Sequence, residues 1–273
     1  MEVKIRSEYV MLSMLSVVMV LFAVSILHFQ GDTVLASSET KTSLSNQKIG
    51  WGIKREKDHK QTDLGSKNKA YIDEANGIAM GNPESKKIYL TFDEGYEAGY
   101  TDKILETLQK NQVKATFFIT AHYLNSQPEL VKKMIDGGHI VGNHTVNHYS
   151  MPSLDDDKLR KEVMDLHQTV YEKFHYEMKY LRPPKGEYSQ RTLALTNSLG
   201  YRTVMWSLAY DDWNEKQQKG VEYAKSRVLD NLHAGAVILL HGNSVDNCNA
   251  LEAIIQGARE QGYEFKSLDE FER

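Results

Sequence analysis

From residue 86 onward, short apolar runs alternate with amphipathic stretches along the chain. The apolar runs predict strands over 88–92 (IYLTF), 115–119 (ATFFI), 139–142 (HIVG), 179–182, 201–206 (YRTVMW), 236–240 (AVILL) and 263–265. Between them, apolar spacings of three and four predict helices over 99–111, 127–136, 155–175, 189–199, 221–232 and 247–261. Thr101 and Ser153 are expected N-caps, and Asp155 to Asp157 put acid into a first turn. Gly137, Gly200, Gly235 and Gly262 stand where helices should stop. Regular alternation of this kind predicts an α/β protein with a mainly parallel, buried sheet. Periodicity fits both a closed barrel and an open doubly wound sheet, and in either the carboxyl ends of the strands are where reactive groups should gather.

The pattern before residue 86 is different in kind. Lys4 and Arg6 precede a run from Tyr9 to Phe29 whose only ionisable side chains are Tyr9 and His28. A helix of that length crosses a hydrocarbon core of roughly 30 Å, and the basic flank predicts insertion with the rest of the chain exported. Residues 1–36 are therefore expected to be a signal peptide, ending near Val34-Leu35-Ala36, or a membrane anchor. An extracytoplasmic location follows, secreted or membrane-anchored. Residues 37–85 are rich in Ser, Thr, Lys, Asn and Gln and read as a linker and N-terminal arm. Trp51-Gly52-Ile53 and Tyr71-Ile72 are its expected docking contacts. Residues 86–273 form the expected catalytic domain.

Composition narrows the partners. With 41% hydrophobic residues over 273, the chain has enough apolar material for a large core. A net charge of −4 gives no broad basic field to neutralise phosphates, which argues against a nucleic-acid partner. Cys248 stands alone, which excludes an intramolecular disulfide and a Cys-rich zinc site.

Each predicted strand end delivers a reactive side chain: Asp93 and Glu94, then His144, Arg182, Asp212 and His241. His144 and His148 lie four apart in HTVNH. On a helical turn that spacing puts both imidazoles on one side, within reach of a divalent ion, although such pairs also occur on solvated faces. Asp93 and Glu94 lie in TFDEGYE (91–97), where adjacent extended residues face opposite ways; both can serve one site only if the backbone turns, which Gly95 permits. Arg182, in LRPPKGE (181–187), can hold a carboxylate with its forked donors. His241 closes an apolar strand, a position also typical of a satisfied core histidine.

In this order, TFDEG, HTVNH, RPPKG, WSLAYDDW (206–213) and ILLHG (238–242) resemble the motifs of the polysaccharide deacetylases of the NodB-homology type, carbohydrate esterase family 4. The resemblance implies a distorted (β/α) barrel of about seven strands, a divalent metal ion, usually zinc, and hydrolysis of N-acetyl groups on amino sugars. It implies metal ligation by His144, His148 and Glu94, and a base, Asp93, oriented by Arg182. It also implies an acid, His241, with Asp212 as a catalytic partner, and substrate contacts from Lys185, Trp206 and Trp213. A backbone N–H near Lys185 or Gly186 would meet the oxyanion. Gly99-Tyr100-Thr101, the Trp51-Gly52 arm and the tail YEFKSLDEF (263–271) resemble the sporulation subgroup. That subgroup acts on N-acetylmuramic acid in the peptidoglycan glycan strand and leads to the muramic δ-lactam of spore cortex.

Three positions depart from the family pattern. Glu94 replaces the usual second Asp, Lys185 replaces an aromatic residue, and Ala209 stands where an Asp normally follows the Trp by three residues. Two other readings compete: the same chemistry on N-acetylglucosamine in peptidoglycan or a chitin-like glycan, and an inactive glycan-binding module.

Overall fold

In the computed structural model, which describes residues 44–273, the chain enters through strand β1 (Ile49–Gly50) and helix α1 (Ser66–Glu74), and then strands and helices alternate. The succession is β2 (Lys87–Glu94), α2 (Thr101–Lys110), β3 (Thr116–Ile119), α3 (Ala121–Ser126), α4 (Pro128–Asp136), β4 (Ile140–Asn143) and α5 (Asp156–Phe174). It continues with β5 (Tyr180–Leu181), β6 (Glu187–Tyr188), α6 (Gln190–Ser198), β7 (Arg202–Thr203), α7 (Val221–Leu229), β8 (Val237–His241), α8 (Val245–Glu260) and β9 (Glu264–Phe265). The expected signal peptide or anchor over 1–36 lies outside the described residues. Among those described, no helix is long and apolar enough to cross a membrane.

The seven-stranded sheet has the order β7-β5-β4-β3-β2-β8, with β9 added beside the start of β2, and all its pairings are parallel. Its two ends curl toward each other. Ile78 pairs with Val204 just past β7, Met80 pairs with Ala236 just before β8, and Leu208 pairs with Ile238 inside β8. Part of the segment read as linker thus fills the gap in a distorted barrel. The same region supplies α1, and Trp51, Ile72 and Ile78 are buried.

Alternation along β2 sets which side each residue faces. Ile88, Leu90 and Phe92 pack outward against the helices, whereas Tyr89 joins the interior with Phe118, Ile140, Tyr180 and Val237. The helices answer with apolar faces at three- and four-residue spacing, such as Leu251, Ile254, Ile255 and Ala258 of α8. Each fully buried Leu or Ile of this kind contributes about 1.5–3 kcal/mol. Two expected caps move. The N–H groups of Gly99, Tyr100 and Thr101 are met by the Glu97 carboxylate, and α5 is capped by Asp155, which accepts from Lys158 N–H, and not by Ser153.

Candidate active site

Parallel register carries the reactive residues to one rim. Asp93 and His241 are direct partners between β2 and β8, His144 follows the last residue of β4, and Arg182 follows the last residue of β5. Asp93, on the interior face of β2, accepts from Arg182 Nη1 at 2.7 Å. The fully buried guanidinium also donates to the carbonyls of Val204 and Met205, at 3.2 and 3.3 Å, and lies 4.3 Å over the Phe118 ring. Burial works to raise the Asp93 carboxyl, but Arg182, His144 and His241 outweigh it and hold it below its ordinary value. Asp93 is therefore ionised at neutral pH.

The HTVNH loop is not helical. Thr145 and His148 take left-handed backbone, with φ of 68° and 57°, and the loop folds back so that the two rings meet with centroids 4.8 Å apart. Side-chain anchors hold this turn. Thr145 N–H donates to Asn143 Oδ1, His148 N–H to Thr145 Oγ1, and Asn147 N–H to the Glu162 carboxylate from α5. Sequence reasoning missed Glu162, an acid on a helix face that nothing in the local pattern distinguishes from a solvated one.

The ring nitrogens suit a metal. His144 Nδ1 lies 2.8 Å from the Arg182 carbonyl, so it carries the proton and Nε2 presents a lone pair. His148 Nε2 is 3.2 Å from His144 Nε2. Tetrahedral zinc with ordinary imidazole bonds would separate two nitrogens by about 3.3 Å. Burial lowers both rings, His148 to about 4 with help from His144, so both are neutral. Asp93 Oδ2 stands 3.5 Å from His144 Nε2. The two histidines therefore fit a divalent ion.

Glu94 does not join them, which corrects the three-ligand expectation. Strand β2 runs straight through Glu94, so the side chain follows the outward face of Phe92 and is absent from the cavity wall. Its carboxylate is packed where a Cβ on Gly242 would collide with it, and neither oxygen has a hydrogen-bond partner. No group of three His, Cys, Asp or Glu among the described residues could hold a metal ion. Burial, then Glu97 and Asp93, push Glu94 well above its ordinary value. An acid raised in this way weakens the fold at pH values above its unfolded value, about 4.3. Glu94→Met is accordingly expected to gain about 1–3 kcal/mol in urea unfolding at pH 8, with a smaller gain near pH 4. Calorimetric zinc titration should match the wild type; weaker zinc binding would return Glu94 to the ligand set.

Opposite Asp93, Asp212 grips His241 twice: Oδ1 lies 2.8 Å from Nδ1, and Oδ2 accepts the backbone N–H at 2.8 Å. Asn247 of α8 donates to Asp212 Oδ2 at 2.6 Å and in turn accepts from Tyr210 Oη. The carboxylate absent at Ala209 is thus supplied from three residues further on. Burial works to lower His241, yet Asp212 raises it above its ordinary value. Its free Nε2 is placed as a proton donor.

Asp93, His144, His148 and His241 line a cavity of about 1140 Å³ together with Trp51, Lys185, Trp206 and Trp213. Lys185 takes left-handed backbone, φ 60°, and Gly186 follows at φ 64°, where a Cβ would press on the Trp206 ring at 2.8 Å. Gly186 N–H is spent on the Pro183 carbonyl, which leaves Lys185 N–H as the one of the two without a backbone partner. Trp213 is 60% exposed and Tyr96 45%, so both offer ring faces at the mouth, where Asn243 ties Tyr96 Oη to the Trp213 carbonyl. The arm completes the wall: Trp51 donates to the Trp206 carbonyl and β1 pairs with β6.

An incompletely closed parallel barrel with an Asp–Arg ion pair, an Asp–His pair and two facing histidines at its carboxyl rim is the architecture of the polysaccharide deacetylases. The chain belongs to that family, carbohydrate esterase family 4: the family model described as polysaccharide deacetylase matches residues 80–204. It is similar to the peptidoglycan-N-acetylmuramic acid deacetylase PdaA of Bacillus subtilis, 42% identical over 229 residues, 84% of this chain and 87% of that protein. The solved structure of B. subtilis PdaA, a family 4 carbohydrate esterase, superposes with a TM-score of 0.81 at 41% identity, covering 84% of this chain and 98% of that one. A peptidoglycan-N-acetylglucosamine deacetylase of Bacillus cereus is 34% identical over 197 residues, 70% of this chain and 91% of that protein.

Proposed function

We propose that the protein hydrolyses the N-acetyl group of N-acetylmuramic acid in peptidoglycan, leading to muramic δ-lactam in spore cortex. The observation that carries the chemistry is the opposition of Asp93, ion-paired with Arg182, to His241, whose Nδ1 is held by the Asp212 carboxylate. The muramic substrate is supported by the 42% identity to the N-acetylmuramic acid deacetylase, whose match reaches 229 residues against 197 for the glucosamine enzyme. A match of the greater length has room for the arm that walls the cavity.

In this reading Asp93 takes a proton from water as the oxygen attacks the acetamide carbon. Lys185 N–H meets the oxyanion of the tetrahedral intermediate. His241 Nε2 then gives its proton to the leaving nitrogen as the C–N bond breaks, releasing acetate and the free amine. A divalent ion on His144 and His148, expected to be zinc, supplies Lewis-acid polarisation of the carbonyl when bound. The N-terminal apolar run supports an envelope location, by secretion or by anchoring.

The test is mass spectrometry of reduced muropeptides after treating peptide-stripped peptidoglycan with the full-length chain, with and without chelator. The expected product is deacetylated muramic acid, lost in chelator and restored by zinc. Deacetylation confined to glucosamine residues would favour the second reading, which the B. cereus relative supports; glycan binding without acetate release would leave only a binding module.

A further inference from the structure

Resting on the muramic reading, we propose that Arg55 of the arm recognises the lactyl carboxylate of the substrate and so selects muramic acid over glucosamine. The two sugars share the acetamide at C2 and differ at C3, where muramic acid carries a lactyl ether ending in a carboxylate. A site that separates them needs a cation near the acetamide site, and besides the histidines the cavity wall offers two, Arg55 and Lys185. Lys185 stands beside His148, whose imidazole it disfavours as a cation, and its backbone is committed to the acetamide end.

Arg55 comes from the arm. It is exposed, and Nη2 donates to the Ala209 carbonyl at 2.6 Å. Ala209 lies in the loop that continues to Asp212, so the guanidinium hangs on the loop that supplies the partner of His241. No carboxylate among the described residues comes within 4.0 Å of Arg55; burial and then Arg227 work against its charge, and Asp211 favours it only from a distance. Of its five N–H donors one is used by the protein, which leaves the fork able to take a carboxylate.

The departure at residue 209 acquires a meaning here. Ala209 meets the guanidinium through its carbonyl alone and brings no side-chain carboxylate to it. With Ala209, and with the partner of His241 moved to Asp212, the cation remains available to the substrate.

The experiment compares the full-length wild type, Arg55→Gln and Arg55→Lys on two substrates: peptide-free glycan strands, and the same strands with the lactyl carboxyl converted to its neutral methylamide. Wild type should prefer the carboxylate strands. Arg55→Gln should lose about 10- to 100-fold in kcat/KM on them, its preference over methylamide strands should vanish, and Arg55→Lys should recover part of both. Equal losses on the two substrates would make Arg55 a brace for the 209–212 loop and overturn the proposal, as would no loss on either. Wild type that releases acetate only from glucosamine residues would sink the muramic reading, and is recognised without reference to any variant.

Discussion

Replacing His241 with Gln is expected to lower the rate of acetate release by about 10²- to 10⁴-fold, the range of a lost general acid, with a far smaller change in KM. Gln retains a polar group at the rim but cannot pass a proton to the leaving nitrogen. Protonation states set the wild-type pH profile. Asp93 must be ionised and is held below its ordinary value, so the acidic limb should fall below the usual carboxylate range. His241 must be protonated and is raised, so the alkaline limb should lie above about 6.5, the usual imidazole value. The main cause of that rise is Asp212, while burial pulls the other way. Asp212→Asn should therefore move the alkaline limb to lower pH, a displacement that a merely structural Asp212 would not produce. Acetate release measured from pH 4 to 10 decides this: an unmoved limb in Asp212→Asn would assign the acid role to another group.

Much of this centre was legible in the sequence because β/α alternation ties strand ends to chemistry. The expected strands at 88–92, 115–119 and 236–240 fall within a residue or two of β2, β3 and β8, and they bring Asp93 and His241 to adjacent positions. The same logic, applied strictly, also disqualifies Glu94. A residue next to an interior-facing Asp faces the helices unless the strand ends between them, and β2 does not end there. Other features left no local signal. The histidines converge through left-handed backbone at Thr145 and His148, a geometry that their spacing of four does not distinguish from a helical turn. The grip of Asp212 on His241 joins residues 29 apart, and the linker-like composition of residues 37–85 hides α1, although the docking of Trp51 is expected from its apolar ring. Polar composition reports the exposed majority of that arm, while a few buried side chains decide where it docks.

Replacing Arg182 with Met is expected to cost about 3–5 kcal/mol of stability at pH 7, the range for removing one partner of a buried ion pair. Arg182 is fully buried and Asp93 nearly so, and the guanidinium satisfies Asp93 and the carbonyls of Val204 and Met205 together. Met fills a similar volume but leaves the carboxylate in a medium that penalises its charge. The sign of the pH dependence follows. In the wild type, Asp93 is depressed, so its contribution is present above the ordinary carboxylate value and is lost as pH falls through the depressed one. In the variant, burial loses its main opponent and the carboxyl rises, so the deficit is greatest at neutral pH and shrinks toward pH 4, as the folded carboxyl takes up its proton and the unfolded one, with a value of about 3.9, is close to half protonated. Urea unfolding at pH 7 and pH 4 measures the difference. Adding Asp93→Asn removes the stranded charge, so the double variant should be more stable than Arg182→Met alone at pH 7, although it is inactive. Additive losses in that cycle would show that Arg182 acts through packing on Phe118 and Trp206, and that the ion pair is not what keeps the base charged.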